Sequence, residues 1–130
     1  MRDLTPWFLL LFAGETVLTM AMAVPLMRGW VKPNPVYGLR TPRTLSDESL
    51  WYRSNHYGGR LMFRIGLVQL IAVVALFGVP GLRANFVAYN LSCGAVILGG
   101  ILLGCVLMIR RTRSLDTTTD AHDASRTGRS

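Results

Sequence analysis

The polar stretch between Pro33 and Arg60 holds the residue types best suited to molecular recognition. Its candidates for a binding surface are Asn34, Tyr37, Gly38, Arg40, Thr41, Pro42, Glu48, Trp51, Asn55 and Gly59. Arginine binds phosphate or carboxylate through paired hydrogen bonds, and an asparagine amide bridges backbone groups. Two interpretations stay open. The stretch binds a lipid headgroup, peptide or partner protein, or its polar side chains tie a loop onto helix ends.

Catalytic chemistry is poorly represented in the chain. Its two histidines, His56 and His122, are far apart in the sequence, so no clustered His/Cys set predicts a metal site. No glycine-rich phosphate loop follows a strand, and no serine or cysteine stands out beside a base. His56 is interpreted as a polar surface residue. We therefore predict no catalytic residue, no metal and no cofactor.

Proline spacing shapes the first half of the polar stretch. Pro33, Pro35 and Pro42 remove backbone donors and favour extended neighbours, while Gly38 permits a turn. This pattern predicts a stiff, irregular loop that presents Asn34, Tyr37, Arg40 and Thr41 at the membrane surface.

A short helix is predicted in the second half. Thr44 or Ser46 is expected to cap its N-terminus, with Glu48 in the first turn, where the helix dipole favours an acid. The four-residue spacing of Trp51, Asn55 and Gly59 places them on one face. We expect this helix to lie in the membrane interface with Trp51 at headgroup depth, and Gly58-Gly59 to allow a bend or close packing.

Three apolar segments flank the polar stretch and must position it. They cover residues 4–27, 61–79 and 86–109, and each is long enough to cross a hydrocarbon core of about 30 Å at about 1.5 Å per residue. The sequence therefore predicts an all-α integral membrane protein with three transmembrane helices and an interfacial helix between the first two. Residues 1–113 form the membrane domain, with the loop and interfacial helix at 33–60, and residues 114–130 a disordered cytoplasmic tail.

Basic residues are distributed unevenly between the two sides of this topology. Of the 14 lysines and arginines, seven lie in the first loop and its membrane edge and five in the C-terminal tail, against only Arg2 and Arg83 on the other side. The positive-inside rule then predicts an outside N-terminus and a cytoplasmic C-terminus. The charges are expected to meet anionic lipid rather than nucleic acid. A cleaved signal peptide ending near Ala21-Met22-Ala23 would reverse this distribution, so the first helix is predicted to be retained.

Glu15 and Gln69 are candidate functional residues within the predicted spans. Glu15 lies near the middle of the first, where an ionised carboxylate is costly. It is therefore expected to face the bundle, be protonated, or pair with a polar group on another helix, such as Gln69, Asn90 or Ser92. It is either a proton or ligand site, or an interhelical hydrogen bond that holds the bundle together. In the third span, Gly100 and Gly104 permit close helix packing, within one chain or between copies.

The polar stretch resembles the signature of the SdpI family. The matching residues are Asn34, Tyr37-Gly38-Leu39-Arg40-Thr41-Pro42, Thr44-Leu45-Ser46, Glu48, Trp51, Asn55 and Gly58-Gly59-Arg60. The resemblance implies a bacterial membrane protein with this loop in the cytoplasm. The namesake of the family gives immunity to a secreted peptide toxin and sequesters a repressor at the membrane. It also has further helices before this module, so the present chain is similar to a short member.

The leading hypothesis is a non-enzymatic inner-membrane protein that gives immunity to a membrane-active peptide toxin, or senses it, through the motif loop. Its expected partners are the lipid bilayer and either a peptide toxin or a cytoplasmic regulator protein. Two alternatives stay open. The first is a small membrane enzyme or transport component using Glu15 with Arg40 and His56. The second is a structural homo-oligomer packed through the third-helix glycines.

Overall fold

The computed structural model describes the backbone of residues 5–127 and the side chains of residues 6–82 and 84–111. Five helices follow one another along this part of the chain. They are α1 (Thr5–Met27), α2 (Pro42–Ser46), α3 (Glu48–Phe77), α4 (Pro80–Ala84) and α5 (Phe86–Thr127). Three of them are long and apolar enough to cross a membrane, over Pro6–Met27, Glu48–Phe77 and Phe86–Arg111. This confirms the predicted all-α class with three spans.

The central helix α3 packs against both α1 and α5, which contact each other much less. A Cβ added at Gly59 would lie 2.6 Å from Met27 N, and one added at Gly66 would lie 2.7 Å from Met20 Cγ. Residues that advance along α3 therefore meet residues that recede along α1, so the two helices are antiparallel. The glycines allow the backbones to approach closely, as small residues do between membrane helices.

The far end of the bundle, opposite the polar loop, holds an aromatic core. Val73, Tyr89 and Cys93 are fully buried there. Phe8 from α1 contacts the ring of Phe86 edge-on, with the centroids 5.1 Å apart. Most apolar side chains on the outer faces of the spans are exposed in the isolated chain. In a bilayer those faces meet lipid, which stabilises them as well as a protein interior would.

Helix α1 ends where Gly29 takes a left-handed conformation. Its φ of 69° is one that a glycine adopts without a steric penalty. The chain reverses there, and Trp30 N donates a hydrogen bond of 3.0 Å to Pro25 O. Pro25 itself lies inside the last turn of the helix. A glycine just beyond the last helical residue is a common way to end a helix.

The predicted interfacial helix and second span are a single helix in the structure. Helix α3 runs without interruption through Gly58 and Gly59. Both glycines are buried, and an added Cβ at Gly58 would lie 2.7 Å from the Met108 side chain. The two glycines therefore allow α1 and α5 to pack closely on either side of α3, and they do not bend the helix.

The N-cap of α3 is Asp47 rather than Thr44 or Ser46. Its carboxylate accepts hydrogen bonds from Ser49 N at 2.8 Å and Leu50 N at 3.2 Å. Hydrogen bonds from the Ser49 hydroxyl and the Leu50 amide lower the pKa of Asp47, which keeps the cap ionised.

The third span also differs from the sequence-based expectation. Helix α5 continues past residue 109 to Thr127, so residues 114–127, predicted to lack regular structure, have a helical backbone. No glycine or proline occurs between Gly104 and Gly128 to end it. Leu4 and residues 128–130, included in the predicted first span and tail, lie outside the described residues.

Gly59→Ala tests the packing of α3 on α1. The added methyl group must displace the α1 backbone near Met27, and we expect a loss of about 1–3 kcal/mol in the free energy of unfolding. Gly94→Ala is the matched control, because an added Cβ there meets nothing within 4 Å. Unfolding in mixed detergent micelles, followed by circular dichroism, measures both variants. Equal stabilities would contradict the close approach.

Candidate functional site

The loop between α1 and α2 is held first by Asn34. Its side-chain oxygen accepts hydrogen bonds from Val36 N at 2.9 Å and Tyr37 N at 2.8 Å, and its amide nitrogen donates to Lys32 O at 2.8 Å. An asparagine that bonds the backbone two and three residues ahead closes a local turn. The polar atoms of Asn34 are therefore engaged within the loop.

Asn55 joins this loop to α3. Its side-chain oxygen accepts a hydrogen bond of 2.6 Å from Leu39 N, and its amide nitrogen donates to Trp51 O at 3.0 Å. The side chain is 3% exposed. Gly38 lies directly against it with φ of 109°, and an added Cβ would stand 2.5 Å from the Asn55 oxygen. Both the backbone conformation and the space require glycine there.

Trp51 lies beneath the loop and is fully buried. Its indole N–H donates a hydrogen bond of 2.9 Å to Val31 O. Trp51 thus packs between the loop and the first turns of α3, whereas the sequence predicted a position at headgroup depth on an interfacial helix. Its ring supplies buried apolar area and its N–H satisfies a loop carbonyl, a usual combination for a buried tryptophan.

Thr41 and Thr44 close the loop at its other end. Thr41 caps α2, and the two threonines exchange hydrogen bonds in a capping box, with Pro42 at the first helical turn. The buried Thr44 hydroxyl also donates a hydrogen bond of 2.9 Å to Leu39 O. The sequence predicted Thr44 as a cap for the helix that carries Trp51, and it caps the shorter α2 with Thr41 instead.

Tyr37, Arg40 and Glu48 complete the predicted surface. The Tyr37 hydroxyl donates a hydrogen bond to Met22 O in α1, and partial burial raises its pKa, so it stays a donor at neutral pH. The Arg40 guanidinium donates to Pro35 O at 2.5 Å and is exposed. Glu48 is exposed in the first turn of α3. Arg40 and Glu48 thus present charge outward.

The predicted site residues converge, but mainly on one another. Asn34, Tyr37, Thr41, Trp51 and Asn55 all form hydrogen bonds within the loop and the helices that hold it. The interpretation that polar side chains tie the loop onto helix ends therefore describes this region well. Sequence reasoning missed their main partners, Leu39 N and Val31 O, because backbone groups carry no residue-type signal.

A cavity of about 290 Å³ lies under the loop. Its lining residues are Leu26, Tyr37, Gly38, Leu39, Asn55, Gly58, Met62 and Met108. The loop, α1, α3 and α5 all contribute, and the lining is mostly apolar with Tyr37 and Asn55 as its polar members. Such a mixture is typical of sites for apolar ligands. Met62 and Met108 could not be found from the sequence, since flexible apolar residues are common in membrane spans.

The two intramembrane polar residues do not pair with each other. Glu15 is exposed on α1, and its carboxylate accepts a hydrogen bond of 3.3 Å from the Thr19 hydroxyl of the same helix. Of the alternatives expected for Glu15, facing the bundle and pairing with another helix are not observed among the described residues. Gln69 is 4% exposed and donates to Ile97 O at 2.9 Å, which joins α3 to α5.

His56 does not form a catalytic group with Glu15. The His56 Nε2 atom lies close to Gly29, since a Cβ added there would stand 2.9 Å from it. Glu15 is 14 residues before Gly29, about 20 Å away along α1 at helical rise. The His56 Nδ1 atom is buried without a hydrogen-bond partner among the described residues. Within the part of the chain that the structure describes, no three His, Cys, Asp or Glu residues lie together as a metal site.

Gly100 and Gly104 pack inside the chain. Added Cβ atoms would meet Ile65 at 3.0 and 3.1 Å respectively, and the one at Gly100 would also meet the amide of Gln69. The predicted close approach at these glycines is therefore between α5 and α3. Gly94 and Gly99 on the same helix have open space beside them.

Comparison with known proteins identifies a family and a curated relative. The sequence profile of the SdpI/YfhL protein family matches residues 31–110, which include the loop, α3 and most of the third span. The chain is also 35% identical over 98 residues to the "Uncharacterized protein YfhL" of Bacillus subtilis (strain 168), covering 75% of this chain and 77% of the relative. No solved structure matches.

Asn55→Ala tests the attachment of the loop. The variant leaves Leu39 N without its acceptor, and an unpaired buried amide costs about 1–3 kcal/mol. We expect hydrogen exchange at the Leu39 amide to accelerate about tenfold or more.

Asn90→Ala is the control for this loss of an amide. Among the described residues, Asn90 donates to Phe86 O, one turn earlier on its own helix, so its removal leaves the loop unaffected. Similar exchange at Leu39 in the wild-type chain and Asn55→Ala would show that Asn55 does not hold the loop.

Proposed function

The chain belongs to the SdpI/YfhL protein family, and from this premise we propose that it gives immunity to a membrane-active peptide toxin or senses its presence. It acts without catalysis, as a multi-pass protein of the bacterial inner membrane. The observation that carries the proposal is the cavity of about 290 Å³ under the motif loop. It is the place where residues of the family signature meet an accessible apolar space.

The chemistry of this cavity favours an apolar occupant. Its polar members are already engaged, Asn55 with Leu39 N and Tyr37 with Met22 O. What they leave for a ligand is mainly the aliphatic and thioether surface of Leu26, Met62 and Met108. Apolar side chains of a membrane-inserted peptide suit that surface. A cytoplasmic regulator protein would instead meet the exposed Arg40 and Glu48.

The unequal distribution of basic residues supports the orientation that this proposal requires. Twelve of the 14 lysines and arginines lie in or beside the first loop or in the C-terminal tail, and such residues are retained on the cytoplasmic side. The N-terminus is then outside and the motif loop and C-terminus are cytoplasmic. A peptide that reaches the loop cavity does so from within the membrane or from its inner face.

Gene deletion and complementation test the proposal. Cells that lack the gene are challenged with the peptides that they secrete, and growth and transcription are recorded. We expect greater sensitivity or an altered transcriptional response, which the wild-type gene restores. Met62→Trp fills the cavity, and we expect it to fail to restore either response.

Leu67→Trp is the matched control, because it places the same ring on an exposed position of the same helix. It is expected to restore the wild-type response. If deletion changes neither sensitivity nor transcription, the proposed function is wrong. If Met62→Trp complements as well as Leu67→Trp, the function does not reside in the loop cavity.

A further inference from the structure

A second cavity, separate from the one under the loop, forms a groove between α3 and α5. Its volume is about 330 Å³. The lining residues are Arg64, Ile65, Val68 and Gln69 from α3 and Val96, Gly99, Gly100 and Leu103 from α5. The Gln69 side chain already donates a hydrogen bond to Ile97 O. Apart from Arg64, the groove therefore offers an apolar surface.

The groove has the length of part of an acyl chain. From Val96 to Leu103 it extends seven residues along α5, about 10 Å at helical rise. One leaflet contributes about 15 Å to a hydrocarbon core of about 30 Å. Gly99 keeps the groove open, since nothing lies within 4 Å of the position its Cβ would occupy. An acyl chain parallel to the helices fits this length.

Positive charge lies at the loop-side end of this groove. Arg64 lines the groove and is exposed. Arg110 is exposed seven residues after Leu103, so it falls on the groove face of α5. A guanidinium binds phosphate through paired hydrogen bonds, and its long stem lets it reach the headgroup region.

We propose that the groove binds one anionic phospholipid in the leaflet on the loop side. One acyl chain lies between α3 and α5 against Val68 and Gly99. The phosphate of the headgroup contacts Arg64, and Arg110 lies further towards the loop side. No carboxylate lines the groove, so a zwitterionic lipid would bring its own cation towards Arg64 without a compensating anion. The site therefore prefers a lipid with net negative charge. This inference is independent of the proposed function.

Native mass spectrometry of the full chain tests the headgroup contact. The purified protein in detergent is titrated with phosphatidylglycerol and with phosphatidylcholine of the same acyl chains. We expect one phosphatidylglycerol to bind in preference, and Arg64→Gln to weaken its binding about fivefold, the loss typical of one basic residue near a membrane surface. Arg64→Lys is expected to recover part of the affinity.

Arg28→Gln is the charge control. It removes one positive charge from the loop side, where Arg28 stacks over the Trp30 ring at 5.0 Å, and it does not touch the groove. We expect wild-type lipid binding. Equal losses in Arg64→Gln and Arg28→Gln would reduce the effect to general attraction and overturn the proposed site.

Gly99→Leu and Gly94→Leu form a matched pair that tests the acyl-chain contact. Both glycines are exposed on α5 with open space beside them, but only Gly99 lines the groove. We expect Gly99→Leu to lose the bound lipid and Gly94→Leu to keep it, with unchanged helix content by circular dichroism. Lipid binding by Gly99→Leu at the wild-type level would overturn the proposal. The proposal would also be overturned if the wild-type chain formed a dimer in place of binding lipid and both Arg64→Gln and Gly99→Leu lost that dimer. The groove would then bind a second copy of the chain.

Discussion

The backbone N–H and carbonyl of Leu39, and the side chains that bind them, determine how the polar loop is attached to the helices. Asn55 accepts from its N–H at 2.6 Å, and the Thr44 hydroxyl lies 2.9 Å from its carbonyl oxygen. Pro33 and Pro35 deprive this loop of two backbone donors, so it cannot satisfy its own backbone by regular structure. Side chains from α2 and α3 do so instead, and Gly38 is required because Asn55 occupies the space beside it.

This arrangement changes what the family signature represents. Asn34, Trp51 and Asn55 are polar or amphipathic residues of the kind that bind ligands, yet each bonds the backbone of the loop or of α3. A shared motif of this kind can preserve a shape as well as a contact. The shape here is that of a loop covering an apolar cavity, and the proposed recognition depends on the apolar residues beneath the motif.

Sequence patterns were sufficient to locate the membrane spans. They were insufficient to decide which face of each helix meets lipid and which meets the other helices. Apolar length located all three spans, and proline spacing indicated the irregular loop. The outward position of Glu15 was missed because a helix that is apolar all round shows no periodic difference between its lipid and protein faces. Gly58-Gly59 was equally compatible with a bend or with close packing, and only contacts with α1 and α5 decide between them. The Asn55–Leu39 contact joins residues 16 positions apart, beyond any local pattern.

The continuity of α3 connects the loop to the membrane span. Gly59 is packed against the α1 backbone at Met27, and Gly58 against Met108 of α5, so neither glycine has room to act as a hinge. Trp51 and Asn55 therefore keep a fixed register with the packing surface one to two turns further along the same helix. A ligand that separates α3 from α5 at Met108 must shift that packing or the loop contacts, or both. The cavity thus lies where the loop, α3 and α5 meet, so an occupant contacts the loop and the spans together.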